Sequence, residues 1–255
     1  VAGTFYPRDA DVLARDVDAM MRTARSSSPT PSVAPKALIV PHAGYVYSGA
    51  IAATAYATIP SGSEIERVVL IGPAHRVFVE GVAAPSARWL RTPLGDVDVD
   101  GDALDRARVA RNDAAHAQEH SLEVELPFLQ RVVPGARVCP IVCGRVDAPA
   151  VAACLDALWG ASETLIVVSS DLSHYLPYDE GRAADERTAK KIVALEGDLG
   201  GDDACGYAGI RGLLAVARAK GLACALLDLR SSGDTAGPRN AVVGYGAFAF
   251  REESS

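Results

Sequence analysis

The stretch "LIVVSSDLSHY" (165–175) runs apolar for four residues, then places Ser169, Ser170, Asp171, Ser173 and His174 just beyond. A short apolar run that breaks into polar residues reads as a buried strand followed by a loop. "ALIVPHAGYVYSG" (37–49) and "VVLIGPAHR" (68–76) repeat the arrangement, with Pro or Gly at the break. Of only five histidines in the chain, His42, His75 and His174 each follow such a run.

Working outward, strand-like runs lie at 37–41, 67–72, 137–142, 164–169, 223–229 and 241–250. Helical patterns lie at 49–58, 101–111, 120–132, 148–159, 180–195 and 208–220, with one more at 9–24. Apolar strands separated by helices predict an α/β fold, a mostly parallel central sheet flanked by helices on both faces. "SSSPTPSVAP" (26–35) reads as a Ser/Pro loop, and "GVAAPSARWLRTPLGDVDVD" (81–100) as a hairpin insertion at a sheet edge. No solenoid period is visible, so one domain is expected.

In open α/β sheets, ligands bind outside the carboxyl ends of the strands. His42, His75 and the Asp171–His174 pair are therefore expected at one edge of one sheet. A lone histidine after a strand is more often a hydrogen-bonded loop residue. Three at matching positions point to a shared site. The glycines of "PHAGYVYSG" and "GPAH" suit close backbone approach to a ligand, or simple strand punctuation. Tyr45 and Tyr47 suit a pocket wall or sheet packing.

"EHSLEVELPFL" (119–129) sets His120 and Ser121 before a periodic apolar run. Ser121 is a candidate cap, with Glu123 and Glu125 in a first turn that favours anions. His120 reads as an active-site donor or a capping neighbour. His116, in a charged run, reads as a solvated loop residue.

The 255 residues are 49% apolar and 22% charged, enough for a substantial core. A net charge of −7 with dispersed acids argues against a nucleic-acid surface. No apolar stretch approaches a membrane span and no leader is recognisable, so no membrane partner is expected. Five scattered cysteines do not form a disulfide framework, which suggests a reducing cytoplasm. Cys139, Cys143, Cys154 and Cys224 border apolar runs and read as inert core residues. Cys205 opens "CGYAGIRGLLAVARAKG", at a helix start that lowers a thiol's pKa. Beside a histidine cluster it is either a metal ligand or a nucleophile. The surplus of histidines favours metal, since a dyad does not need three.

"PHAGYVYSG", "IGPAH", "EHSLEVELPFL", "VVSSDLSHY" and "CGYAGI" together resemble the Memo family, as do the opening "VAGTFYP" and closing "VVGYGAFAF". Its prokaryotic members are protein B of the AmmeMemoRadiSam system. The resemblance spans essentially the whole chain and implies a single Memo-like domain over 1–255. It implies a fold similar to class III extradiol ring-cleaving dioxygenases, which hold non-haem iron with two histidines and a carboxylate. Carried across by motif, His42 and His75 match the metal-binding histidines and Cys205 the third ligand. Asp171 and His174 match polar pocket residues, His174 in the acid/base role, with His120 an additional pocket member.

A thiolate in place of the carboxylate shifts preference toward copper(I), zinc or thiolate-ligated iron. Iron or copper is therefore expected, with zinc the third option, and a dioxygenase-like oxidoreductase activity is implied by the resemblance alone. Animal members have a basic pair after "CG" where this chain reads "YAGI". The implied activity is metal-dependent redox chemistry on a small molecule. The alternatives are peptide, phosphopeptide or metal handling in the same pocket, and metal-free Cys/His thiol catalysis. The system's name implies association with a radical-SAM protein and an AMMECR-type protein.

Overall fold

The central strands are apolar at successive positions because both of their faces are covered. In the computed structural model, which describes residues 1–27 and 31–252, side chains alternate between two cores. Leu38, Val40, Val68, Leu70, Leu165 and Val167 point to one face, and Ile39, Val69, Ile71, Ile166 and Val168 to the other. This period of two follows from the pleat. Burying each such side chain contributes about 1.5–3 kcal/mol.

The chain runs α1 (Ala10–Ser27), β1 (Ala37–Val40), α2 (Tyr45–Tyr56), β2 (Arg67–Pro73), β3 (Val82–Ala84), β4 (Trp89–Thr92), β5 (Gly95–Asp98), α3 (Gly101–Arg106) and β6 (Ala110–Arg111). It continues through α4 (Asp113–His116), a 3₁₀ turn (Glu123–Glu125), α5 (Leu126–Val132), β7 (Arg137–Cys143), α6 (Ala148–Ala157), β8 (Thr164–Ser169) and β9 (His174–Leu176). The last elements are α7 (Tyr178–Val193), α8 (Tyr207–Ala219), β10 (Leu222–Ser231) and β11 (Val242–Glu252).

Nine of these strands form one sheet in the order β10-β11-β1-β8-β2-β7-β3-β6, with β9 added to β11. The four central strands β1, β8, β2 and β7 are mutually parallel, as expected. The antiparallel pairings lie toward its two sides. The sheet is thus mostly parallel, as expected, with antiparallel strands added there. Only a 3₁₀ turn (Ser232–Asp234) and no α-helix separates β10 from β11, and without a crossover two consecutive strands pair antiparallel. Helices α1, α2 and α5 cover one face, and α6, α7 and α8 the other. The result is a single α/β domain.

Helix α2 is apolar nearly all round because α1 packs across its outer side. The sulfur of Met20 lies where a Cβ on Gly49 would stand, 2.7 Å away. Gly49 thus serves helix packing rather than ligand approach. Tyr45 is buried against Tyr6 and Phe128, its hydroxyl donating to the Val124 carbonyl. Of the two uses expected for it, packing is the one it has, while Tyr47 stays exposed.

Other expectations shift at element ends. The 101–111 helix stops at Arg106, and 110–111 form β6 instead. Within 81–100, β3 joins the main sheet and only β4 and β5 form the hairpin. Of the loop expected at 26–35, residues 28–30 lie outside the described residues. Ser26 and Ser27 close α1, and 31–35 carry neither helix nor strand. No helix among the described residues is long and apolar enough to cross a membrane. All five cysteines are unpaired.

Candidate metal centre

The parallel strands β1, β2 and β8 end at the same edge of the sheet, so their loops meet. Pro41 closes β1 and hands the chain to His42, whose ring is buried. The His42 backbone N–H donates to Asp171 Oδ1 at 2.8 Å, which ties the loop after β1 to the loop after β8. Nδ1 lies 2.8 Å from Ser169 Oγ, and Nε2 lies 3.4 Å from Cys205 Sγ. Burial, with His75 and His120 close by, pushes the His42 pKa well below its ordinary value, so the ring is neutral.

His75 follows β2. Its Nδ1 stands 2.9 Å from Glu119 Oε1, and its backbone N–H donates to the other oxygen of the same carboxylate. Glu119 also accepts from the backbone N–H groups of His120 and Ser121. Burial alone would raise the Glu119 pKa. The hydrogen bonds from His120, His75 and Ser121 outweigh it and hold the carboxyl far below the usual carboxylate range. One ionised carboxylate therefore fixes two histidine-bearing loops.

Cys205 enters from the segment before α8, its N–H donating to the Asp171 carbonyl at 3.2 Å. Gly206 lets that segment lie against the end of β8. A Cβ there would stand 2.6 Å from Ser170 Cβ and 2.8 Å from the Ser169 carbonyl oxygen. Ligand atoms of His42, His75 and Cys205 consequently all lie within 4.8 Å of one another.

His120 belongs to the same cluster. Its ring stacks on His75 at 4.8 Å between centroids and meets His42 edge-on at 5.4 Å. Its Nδ1 is 3.2 Å from Glu119 Oε1 but too poorly aligned for a full hydrogen bond. Asp171 is buried. Desolvation raises its pKa, opposed by the His42 and Ala43 backbone N–H groups and by the nearby His174 and His120. His174 opens β9, and its Nδ1–H donates to the Leu172 carbonyl at 2.8 Å, which leaves Nε2 without a hydrogen-bond partner among the described residues.

Four local expectations are corrected. Cys205 precedes the cap of α8, and burial pushes its thiol up to about 12 rather than down. Desolvation, with the Asp171 charge, exceeds any helix effect. Ser121 does not cap a helix; its hydroxyl donates to the Pro73 carbonyl and so ties this segment to β2. His116 ends α4, half-buried, with Nε2 3.0 Å from the Ala83 carbonyl. Glu125 lies in the first turn, as expected, but is fully buried, and burial raises its pKa instead of leaving it an anion favoured by the dipole.

Glu119 and Ser169, the partners of the two histidines, were not among the expected site residues, and Glu125 was expected only as a first-turn acid. Glu119 directly precedes His120 in "EHS", and an acid beside a histidine was the available signal. Ser169 looked like a strand end.

The family model for Memo, a Memo-like protein, matches residues 1–249. The chain belongs to the Memo family. It is 35% identical over 266 residues to a MEMO1 family protein of Archaeoglobus fulgidus, covering 98% of each chain. A MEMO1 family protein of Ignicoccus hospitalis is 38% identical, over 98% of this chain and 96% of its own. One from Aquifex aeolicus is 35% identical, over 98% and 97%. In this Memo-family chain a cavity of about 310 Å³ adjoins Cys205, walled by Val77, Phe78, Val79, Arg145 and Tyr207. It is large enough for a small molecule beside the cluster.

Proposed function

We propose that the chain binds one transition-metal ion through His42, His75 and Cys205 and uses it in redox chemistry on a small molecule. The observation that carries this reading is the convergence of the three ligand atoms within 4.8 Å. Both histidines already have Nδ1 engaged, by Ser169 and Glu119, which leaves Nε2 for a ligand bond. Two imidazoles and a thiolate fit iron, copper or zinc, and three protein ligands leave coordination positions open. When bound, the ion supplies Lewis acidity and, for iron or copper, electron transfer.

The chain's own residues do the rest. Asp171 holds the His42 loop through the backbone, and His174 offers its Nε2 for moving a proton at the substrate. The cavity beside Cys205 gives a substrate partly apolar walls with Arg145 at one side. Thiol catalysis without metal is disfavoured, because a thiol pushed up to about 12 supplies little thiolate near neutral pH.

The test is metal analysis of anaerobically purified protein beside a His42→Ala, Cys205→Ser double variant. One iron or copper per chain, lost in the variant, supports the proposal. A folded wild-type protein that takes up none of iron, copper or zinc contradicts it.

A further inference from the structure

Ser169 has one hydroxyl hydrogen and three neighbours that want a share of it. The Ser121 carbonyl lies at 2.6 Å, His42 Nδ1 at 2.8 Å and Glu125 Oε1 at 3.2 Å. A hydroxyl donates once and accepts twice. The carbonyl at 2.6 Å is the nearest acceptor and takes the hydrogen. Ser169 must then accept from both other neighbours, so His42 carries its proton on Nδ1 and Glu125 carries a proton on its carboxyl.

The surroundings of Glu125 agree. Its side chain is fully buried, and it forms no ion pair with Lys or Arg among the described residues. Tyr56 donates to its other oxygen at 2.8 Å. A negative charge on the neighbouring Asp171 carboxyl opposes its ionisation. Burial pushes the carboxyl up to about 8, against the hydrogen bond donated by Tyr56.

We infer that Glu125 is a positioning residue held as a neutral carboxylic acid, whose O–H completes the acceptor set of Ser169 and so commits His42 to its Nδ1–H tautomer. The bare Nε2 of that tautomer is the atom turned toward Cys205. Its consequence for metal binding rests on the proposed function, but the protonation and tautomer are properties of the metal-free protein.

The test therefore begins without metal. At pH 7 the infrared spectrum of metal-free wild type should contain a protonated-carboxyl C=O band that Glu125→Gln removes. Nitrogen-15 spectra of the histidines should show His42 protonated on Nδ1 in both proteins, because a Gln amide can donate to Ser169 as the acid does. Glu125→Ala should mix the two tautomers and weaken iron(II) or zinc binding about tenfold, while Glu125→Gln stays within about threefold of wild type. If Glu125→Ala does not fold, the infrared and Glu125→Gln results decide the matter. No difference band between wild type and Glu125→Gln overturns the inference, as does an Nε2-protonated His42 in wild type. Absence of metal binding in every protein, with the band and tautomer as expected, would instead count against the metal proposal alone.

Discussion

Glu119 and Glu125 stand at opposite ends of one short segment, and their surroundings drive them to opposite charge states. Glu119 faces donors: the His75 side chain and the backbone N–H groups of His75, His120 and Ser121, with the His120 ring close by. Glu125 faces two hydroxyl groups and no cation. Burial disfavours ionisation of both. At Glu119 the hydrogen bonds overcome it, and at Glu125 they do not. The two acids thus support two histidines by different means, one by accepting directly and one by donating through a serine. Charge state here follows from the donors within reach, not from residue type.

Making the same substitution at both sites is the sharpest way to break this comparison. Glu119→Gln places an amide NH₂ among N–H donors and removes the charge they solvate. It should cost about 3–5 kcal/mol of stability in denaturant unfolding and weaken metal binding about 10- to 100-fold. Equal tolerance of Gln at 119 and 125 would erase the distinction.

The pH dependence should differ next. A carboxyl whose folded pKa is raised leaves stability intact at acid pH, where it is neutral in both states. Stability is then lost as pH climbs from the ordinary carboxylate value toward about 8, because the unfolded chain ionises first. Glu125→Gln removes that loss. Between pH 5 and pH 8, urea unfolding should shift in the variant's favour by a few kcal/mol relative to wild type. Glu119, with its folded pKa lowered, has the opposite sign: its contribution is present at neutral pH and lost on acidification.

The smallest effect is expected from Tyr56→Phe, which deletes the hydroxyl donor to Glu125. A loss of about 1 kcal/mol in thermal or urea unfolding fits a neutral acid, which keeps its own proton for Ser169. A loss above about 3 kcal/mol would mean Tyr56 was solvating a buried anion.

Much of the architecture was legible in the chain. Apolar runs such as 164–169 and 67–72 mark the buried parallel strands, because residues on both faces must be apolar. The gathering of His42 and His75 also followed, since parallel strands deliver their loops to one edge, whereas Cys205 follows no strand and only the family motif placed it with them. The antiparallel pairing of β10 with β11 needed the observation that no crossover helix separates them. What was hidden is the support of the site. Ser169 and Glu125 lie in unrelated segments, and either glutamate of "LEVEL" (Glu123 or Glu125) reads as a first-turn helix acid. Only tertiary packing buries it and removes its counter-charges. The Cys205 thiol was misjudged for a similar reason: desolvation depends on neighbours that sequence does not reveal.

The most direct measurement of the central claim is metal content after anaerobic purification, wild type against His42→Ala, Cys205→Ser. One iron or copper per chain in wild type, and almost none in a variant of unchanged fold, is the predicted result. Equal metal in both proteins, or none in wild type even after reconstitution with iron, copper and zinc, would contradict it.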